Sequence, residues 1–472
     1  MAIHNFSKVV KVKSEETKVI KCQTTKTAPV KQKTVNQLVL KKPLNEQPQP
    51  KTPIPETVEV VASQVVAVET NIIGRVSTLE HEENPQVNRL GDIFTGKRVA
   101  MSHLGIDIGT KTVVVAYRGE DDKIGYISEI NGWWPFERAT KFIEKLLSDP
   151  NKQRSDGTKR AARWIKMPET DQIVVLGKDA EEFAYAKNDT LRRPMAEGGI
   201  AADEEAMMIL GSIVQGLIEM AENEIGSFGD EVKITYCTTA PAINKKTTNI
   251  EYHERVVNLI IEGYETEAKI DLVGPYDDRK GAIKESHAIV LDMDEGGDGT
   301  GIGISWGAGT VTVSYVKWGE EIYSFCYVGS GDWIDTEVAK RHGYDPDAPQ
   351  SMQKSKETPT TVAKRKHEIS LKKDSEPDDR VGLDICIHYD VLISNVVDGV
   401  IAGFVENEDK ARIDGAVNVY MAGGTSSPPG FAERVSAKFK EKEVPFDIGK
   451  IYKSKQPLYS VAAGCLKAAE MF

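Results

Sequence analysis

His103-Leu104-Gly105-Ile106-Asp107-Ile108-Gly109-Thr110, continued by Lys111-Thr112-Val113-Val114-Val115-Ala116-Tyr117, is the stretch that decides the fold. It reads as a buried strand, a tight turn and a second strand. Ile106 and Ile108 flank a single acid, and Gly109 lets the backbone bend at the tip. Such a turn offers its amide N–H groups and the Thr110 hydroxyl to a phosphate, while Asp107 stands at the strand end for a hydrated cation. Taken alone, D-x-G-T is equally the sequence of an ordinary hairpin with a charged tip. Two later stretches bear on that choice.

Gly301-Ile302-Gly303-Ile304-Ser305-Trp306-Gly307-Ala308-Gly309-Thr310, running on into Val311-Thr312-Val313-Ser314-Tyr315-Val316, repeats the design of strand, small-residue turn and strand. Two Gly-Thr hairpins facing each other would grip a polyphosphate from both sides through backbone amides. The third stretch, Val417-Asn418-Val419-Tyr420-Met421-Ala422-Gly423-Gly424-Thr425-Ser426, is a strand ending in two glycines before a helix. There the backbone can approach a flat base or a ribose closely.

The 472 residues are enough for two to three domains, and the composition is that of a soluble globular chain. No uninterrupted apolar run approaches the ~20 residues of a membrane span. The N-terminus lacks the apolar core of a signal peptide, and the absence of Arg before Arg75 argues against an Arg-rich transit peptide. Cys22, Cys237, Cys326, Cys386 and Cys465 are scattered with no C-x-x-C pair, which fits reduced thiols in a cytoplasmic protein. Residues 1–55 set eleven lysines against three glutamates, a net +8, which leaves −20 for the rest of a chain whose total is −12. An acidic body excludes nucleic-acid binding by its overall field, while the basic tail suits an anionic membrane surface or an acidic protein partner.

Read in order, residues 1–101 form a basic, proline-containing tail expected to be disordered. Within it, residues 57–69 and Val87 to Phe94 are apolar patches able to dock on a partner. Lys123 to Ile130 reads as a third strand, followed by Trp133-Trp134-Pro135-Phe136 and a helix from Glu137 to Leu147. An amphipathic helix runs from Glu204 to about Asn223, and strand-helix alternation follows: Val232 to Cys237, a helix through Val256 and Ile260, Ala268 to Val273, then a helix that includes Glu285.

The order D-x-G-T, G-x-G-T, A-G-G-T resembles the actin and heat-shock chaperone ATPase superfamily, and within it the bacterial actins of the MreB and MamK type. Arg193-Pro194-Met195-Ala196-Glu197-Gly198-Gly199-Ile200 is similar to their R-P-x-x-D/E-G-x-I segment. Val328-Gly329-Ser330-Gly331-Asp332-Trp333-Ile334-Asp335 is similar to their G-G-D-x-x-D/E turn, and Gln456-Pro457-Leu458-Tyr459-Ser460-Val461-Ala462-Ala463-Gly464-Cys465 to their closing segment. The resemblance implies an α/β, two-domain actin-like ATPase fold of duplicated ribonuclease-H-like domains. Its domain I would span 102–290 (outer subdomain about 127–177) and its domain II 291–445 (outer subdomain about 333–405), with 446–472 returning to domain I.

It further implies ATP and Mg²⁺ in the cleft between the domains. Asp107 would hold the hydrated Mg²⁺; Gly109, Thr110 and Lys111 the β-phosphate side; Ser305, Gly307, Ala308, Gly309 and Thr310 the γ-phosphate side. Gly329 and Gly331 lie in the turn beyond, Gly423, Gly424 and Thr425 flank adenosine, and Lys366 or Glu368 reaches the ribose. Glu285, in Lys284-Glu285-Ser286-His287-Ala288, stands where related proteins have E-P-x-x-A and would position the attacking water. It also implies self-assembly into cytoskeletal filaments for shape, positioning or segregation, and a place in the cytoplasm or at the inner face of a membrane. Ile225-Gly226-Ser227-Phe228-Gly229 occupies the region where relatives press a loop into a bilayer.

One departure stands out. The second hairpin ordinarily begins D-x-G-x-G-T, and Ser305 takes the acid's place, so Mg²⁺ would lose one of two carboxylates. Binding through backbone amides survives that loss, and hydrolysis is slowed. A nucleotide-binding pseudoenzyme is therefore an open alternative, as is a non-polymerising, nucleotide-gated chaperone-like scaffold. A full chaperone would need a substrate domain after Phe472, and a sugar or acetate kinase a catalytic base for which no signature is present.

Overall fold

The structure, a computed structural model, describes residues 103–472 apart from positions 120, 137–139, 155–158, 169, 188, 246–248, 349–351, 354, 376 and 414. The tail, its two apolar patches and the first turn expected of the helix at Glu137 lie outside the described residues.

The first lobe is built on β1 (His103–Ile108), β2 (Thr112–Arg118) and β3 (Ile124–Ile130), an antiparallel meander. β4 (Trp133–Pro135), β5 (Trp164–Lys166) and β6 (Ile173–Leu176) form a separate small sheet, order β4-β6-β5, covered by the helices Lys141–Leu147 and Gly177–Ala186. Trp134 is buried there and Trp133 in the main core of the first lobe, so neither is displayed. β7 (Met195–Ala196) and β8 (Gly199–Ile200) make a two-residue hairpin whose turn, Glu197 and Gly198, has φ of +51° and +77°. That is the left-handed turn a tight hairpin favours. The long helix Glu204–Ile225 starts at Asp203, whose carboxylate accepts from Ala206 N–H at 2.7 Å, and stops at Gly226 with φ +98°. β9 (Glu231–Thr238), β10 (Lys269–Leu272) and β11 (Ala282–Lys284) complete the main sheet, with β9 parallel to β1 and both β10 and β11 parallel to β9.

The second lobe repeats this plan. β12 (Gly301–Trp306), β13 (Thr310–Lys317) and β14 (Glu320–Val328) form the meander, and β15 (Val417–Ala422) and β16 (Ile448–Lys453) add in parallel. The strand orders match: β3-β2-β1-β9-β10 in one lobe and β14-β13-β12-β15-β16 in the other. The central strands β2 and β13 are buried on both faces, the first through its run of valines and the second with Thr312 and Ser314 buried between its valines. Among the described residues one helix, Arg380–Glu406, is long and apolar enough to cross a membrane. Here Ile385, Tyr389, Leu392, Val396 and Val400 pack it into the core of the second lobe.

Each sheet is closed by a helix that follows the other sheet in the chain. The helix Glu285–Met293, which follows β11, lies on β12 and β13; the helix Ser460–Met471, which follows β16, lies on β1 and β9. Glycine makes all three close approaches possible. A Cβ at Gly105 would sit 2.1 Å from Leu466 N, one at Gly303 1.9 Å from Ser286 O, and one at Gly464 1.9 Å from Ala288 O, where the two helices cross. The segment after β9 also adds an edge to the second sheet: Cys326 N–H donates to Pro241 O (2.8 Å) and Ile243 N–H to Cys326 O (3.0 Å). Phe228, by contrast, is buried in the first lobe's core, so the loop at 225–229 does not present it to a bilayer.

Candidate functional site

Both hairpin tips are made the same way. Gly109 N–H donates to Thr112 O at 3.1 Å, and Gly307 N–H to Thr310 O at 3.0 Å. Two residues before each glycine, Asp107 lies opposite Val114 and Ser305 opposite Thr312. The structural counterparts are therefore Gly105-x-Asp107-x-Gly109 and Gly303-x-Ser305-x-Gly307. Thr310 corresponds to Thr112, and the residue matching Thr110 is Ala308.

The tips meet. A Cβ at Gly309 would lie 2.8 Å from Thr110 Oγ1 and 3.1 Å from the amide nitrogens of Glu197 and Gly198. The β7–β8 turn thus closes over both tips. Across the mouth, Arg193 donates to Asp332 Oδ2 at 2.6 Å, and Lys364 Nζ stands 4.1 Å from the Tyr185 ring centroid.

Beneath them is a cavity of about 230 Å³. It brings together Asp107, Gly109, Thr110, Lys111, Glu285, Ser305, Gly307, Ala308, Gly309, Thr310, Gly331, Lys366, Gly423, Gly424 and Thr425. Gly329 and Glu368 do not line it. Gly329 acts from behind, its N–H donating to Gly309 O at 3.0 Å, and Glu368 is exposed on the outer side of its helix, where His367 faces the cavity instead. Ser330 Oγ and Thr425 Oγ1 both donate to Gly307 O at 2.7 Å, and Asp332 N–H to Ala308 O at 2.8 Å, which braces the second tip. Gly423 has φ +93°, and a Cβ there would meet Trp306 O at 2.4 Å, so the third stretch packs directly on the second. It leads into a short 3₁₀ turn, Gly424–Ser426; the next helix begins only at Phe431.

Sequence reasoning did not place Asp332, Asp335, His367, Pro457, Leu458 and Val461 in the site, although all line the cavity. Asp332 and Asp335 stand in the G-D-x-x-D turn, which was the available signal. Asp335 and Lys366 form a buried ion pair at 2.6 Å, with Lys366 Nζ also donating to Gly331 O at 2.7 Å. Leu458, half exposed, supplies an apolar wall beside Gly424.

Two carboxylates share the inner wall. Burial pushes Asp107 up to about 6, opposed by a hydrogen bond from the Cys237 thiol. Glu285, the first residue of its helix, is pushed up to about 8 by burial and then by the charge of Asp107. Its partners are the hydroxyls of Ser305 and Thr312. The neighbouring Lys284 turns away and donates to Thr239 O at 2.8 Å. Among the described residues no basic side chain bonds to Asp107 or Glu285, and a cation between them would relieve both. No cluster of three or more ligating side chains forms a ready cage among the described residues. This donor set suits Mg²⁺, which keeps most of its water and takes the remainder from phosphates.

Two sheets of one strand order, two matched tips and a cleft between them define a bacterial actin-like fold. A solved "MamK double helical filament" aligns with 78% of this chain and 98% of its own, at 14% identity and a TM-score of 0.50. A "MamK non-polymerising A278D mutant bound to AMPPNP" aligns over the same shares at 14% identity and a TM-score of 0.45. The ethanolamine utilization protein EutJ from Carboxydothermus hydrogenoformans aligns over 78% of this chain and 89% of its own, at 13% identity and a TM-score of 0.41. No curated protein matches the chain. The family model described as Volactin matches residues 101–469, and the chain belongs to that family.

Proposed function

We propose that this chain binds ATP with Mg²⁺ in the interlobe cleft and assembles with copies of itself into nucleotide-dependent cytoskeletal filaments, hydrolysing ATP slowly. The observation that carries the reading is the meeting of two equivalent glycine hairpins over one cavity that holds Asp107 and Glu285. The amides at Gly109–Lys111 and Gly307–Gly309 cradle the phosphates from opposite lobes, and Lys111 adds its charge. Asp107 holds the water shell of the cation. Bound Mg²⁺ would spread the charge that builds on the transferring phosphoryl group. Glu285 orients the attacking water, the usual protein task where little covalent chemistry is available. Gly424, Thr425 and Leu458 form the flat surface for the base.

Ser305 supplies no charge, which supports slow hydrolysis and keeps a nucleotide-binding pseudoenzyme as the second reading. Self-assembly is supported by the likeness in fold to a protein solved as a filament. The four described cysteines, all buried and none in a disulfide, support a cytoplasmic location, and the +8 tail an anionic membrane surface or acidic protein as a further partner.

The test is pelleting and negative-stain imaging with ATP, with ADP and without nucleotide, alongside phosphate release and calorimetry with and without Mg²⁺. Filaments with ATP and slow release are expected. Filaments without release would favour the pseudoenzyme, and release without filaments a chaperone-like scaffold. No nucleotide binding at millimolar concentration would end the reading.

A further inference from the structure

With Ser305 uncharged, Asp107 is the one hairpin carboxylate left on the cation side of the cleft. That carboxylate is held by sulfur. β1 pairs with β9 only as far as Ile106 opposite Tyr236. Two residues beyond the last ladder pair, Ile108 N–H donates to Cys237 Sγ at 3.2 Å. The same sulfur donates its own proton to Asp107 Oδ1 at 3.2 Å. Cys237 is 1% exposed, set on β9 behind the cavity wall, and does not line the cavity itself. Among the described residues this thiol is the only hydrogen-bond partner of the Asp107 side chain, leaving the second carboxylate oxygen without a protein donor. The backbone amide orients the sulfur, and the sulfur orients the acid.

We propose that Cys237 is a positioning residue for the cation site, its S–H fixing Asp107 Oδ1 so that the other oxygen serves the water shell of Mg²⁺. The inference rests on the reading that the cleft binds Mg²⁺-nucleotide. Outer partners that hold a ligating group commonly change metal affinity by about 10–100-fold when removed.

The test uses the full chain and a non-hydrolysable ATP analogue titrated with MgCl₂. Cys237→Val removes the donor and adds about one methyl group of bulk, while Cys237→Ser keeps a donor at slightly smaller size. If the thiol positions Asp107, the Val variant needs about 10-fold more Mg²⁺ for half-maximal binding and the Ser variant stays within about threefold of wild type. Binding of the analogue in EDTA should be equal in all three. A purely packing role predicts lowered thermal melting in both variants with wild-type Mg²⁺ dependence in each, and that result would overturn the inference. Should Val fail to fold, Cys237→Ala removes the same donor, and wild-type Mg²⁺ dependence in Ala overturns it equally. If the wild-type chain shows no Mg²⁺-dependent binding at all, the cleft reading itself is wrong and the role of Cys237 falls with it. That outcome is distinct from a wild type that binds and a Val variant that matches it.

Discussion

The two lobes share a strand order, a turn hydrogen bond and a glycine two residues before the key position, yet one tip ends in Asp107 and the other in Ser305. Backbone has been kept and charge has not. Amide groups that cradle a phosphate come from the turn conformation, which both tips preserve. A carboxylate for a cation comes from one side chain, which a single substitution removes. Binding and hydrolysis can therefore part company within one architecture.

The largest effect that would break this symmetry lies behind the tips. Gly105→Ala and Gly303→Ala each force a Cβ into backbone about 2 Å away. Both should cost about 3 kcal/mol or more, read as a large fall in the denaturation midpoint. Equal losses would support equivalence of the two sites; an innocuous Gly303→Ala would refute the packing of the 285–293 helix described here.

A second comparison pairs two buried histidines. His287 exchanges hydrogen bonds with Tyr276 Oη (3.2 Å) and Gly319 O (3.1 Å), whereas neither ring nitrogen of His253 has a partner among the described residues. Burial lowers both from an ordinary 6.5 to about 4, and at His253 the charge of Lys284 adds to it. Because the folded value is depressed, the unfolded chain takes up the proton first. The stability is complete above pH 6.5 and is lost as pH falls towards 4, by up to about 3 kcal/mol for each. His253→Phe should flatten that part of the pH–stability curve; an unchanged slope between pH 6.5 and 4 would rule out His253 as a source.

Asp107→Asn should weaken Mg²⁺-dependent nucleotide binding about 100-fold, and Ser305→Ala less than about threefold, because only the first removes a charge. Calorimetry at fixed Mg²⁺ measures both, and comparable losses would contradict the asymmetry of the tips. A similarly small effect is expected at the mouth. Arg193→Ala deletes a part-exposed ion pair across the lobes. It should accelerate release of a fluorescent nucleotide by only about two- to fivefold, as suits a contact of at most ~1 kcal/mol. An unchanged rate would mean that the pair does not hold the cleft closed.

Much of this was legible in local sequence. Asp107, Gly109, Gly307, Gly309, Gly423 and Gly424 announce their places because a tight turn or a close backbone approach restricts which residue can stand there. Alternating and continuous apolar runs likewise mark the strands. Leu458 and Cys237 announced nothing, since each acts through a neighbour distant in the chain, beside Gly424 and under Asp107, and His367 lines the cavity only because of the way its helix is turned. Gly329 and Glu368 show the converse, residues next to a motif whose backbone direction carries them out of the cavity. The sequence by itself determined the two repeated hairpins and their chemistry, because turns obey short-range steric rules. Only the tertiary structure decided that the tips meet, that the helix Ser460–Met471 returns to close the first sheet, and that a buried thiol sets the acid, because those contacts join residues more than a hundred positions apart.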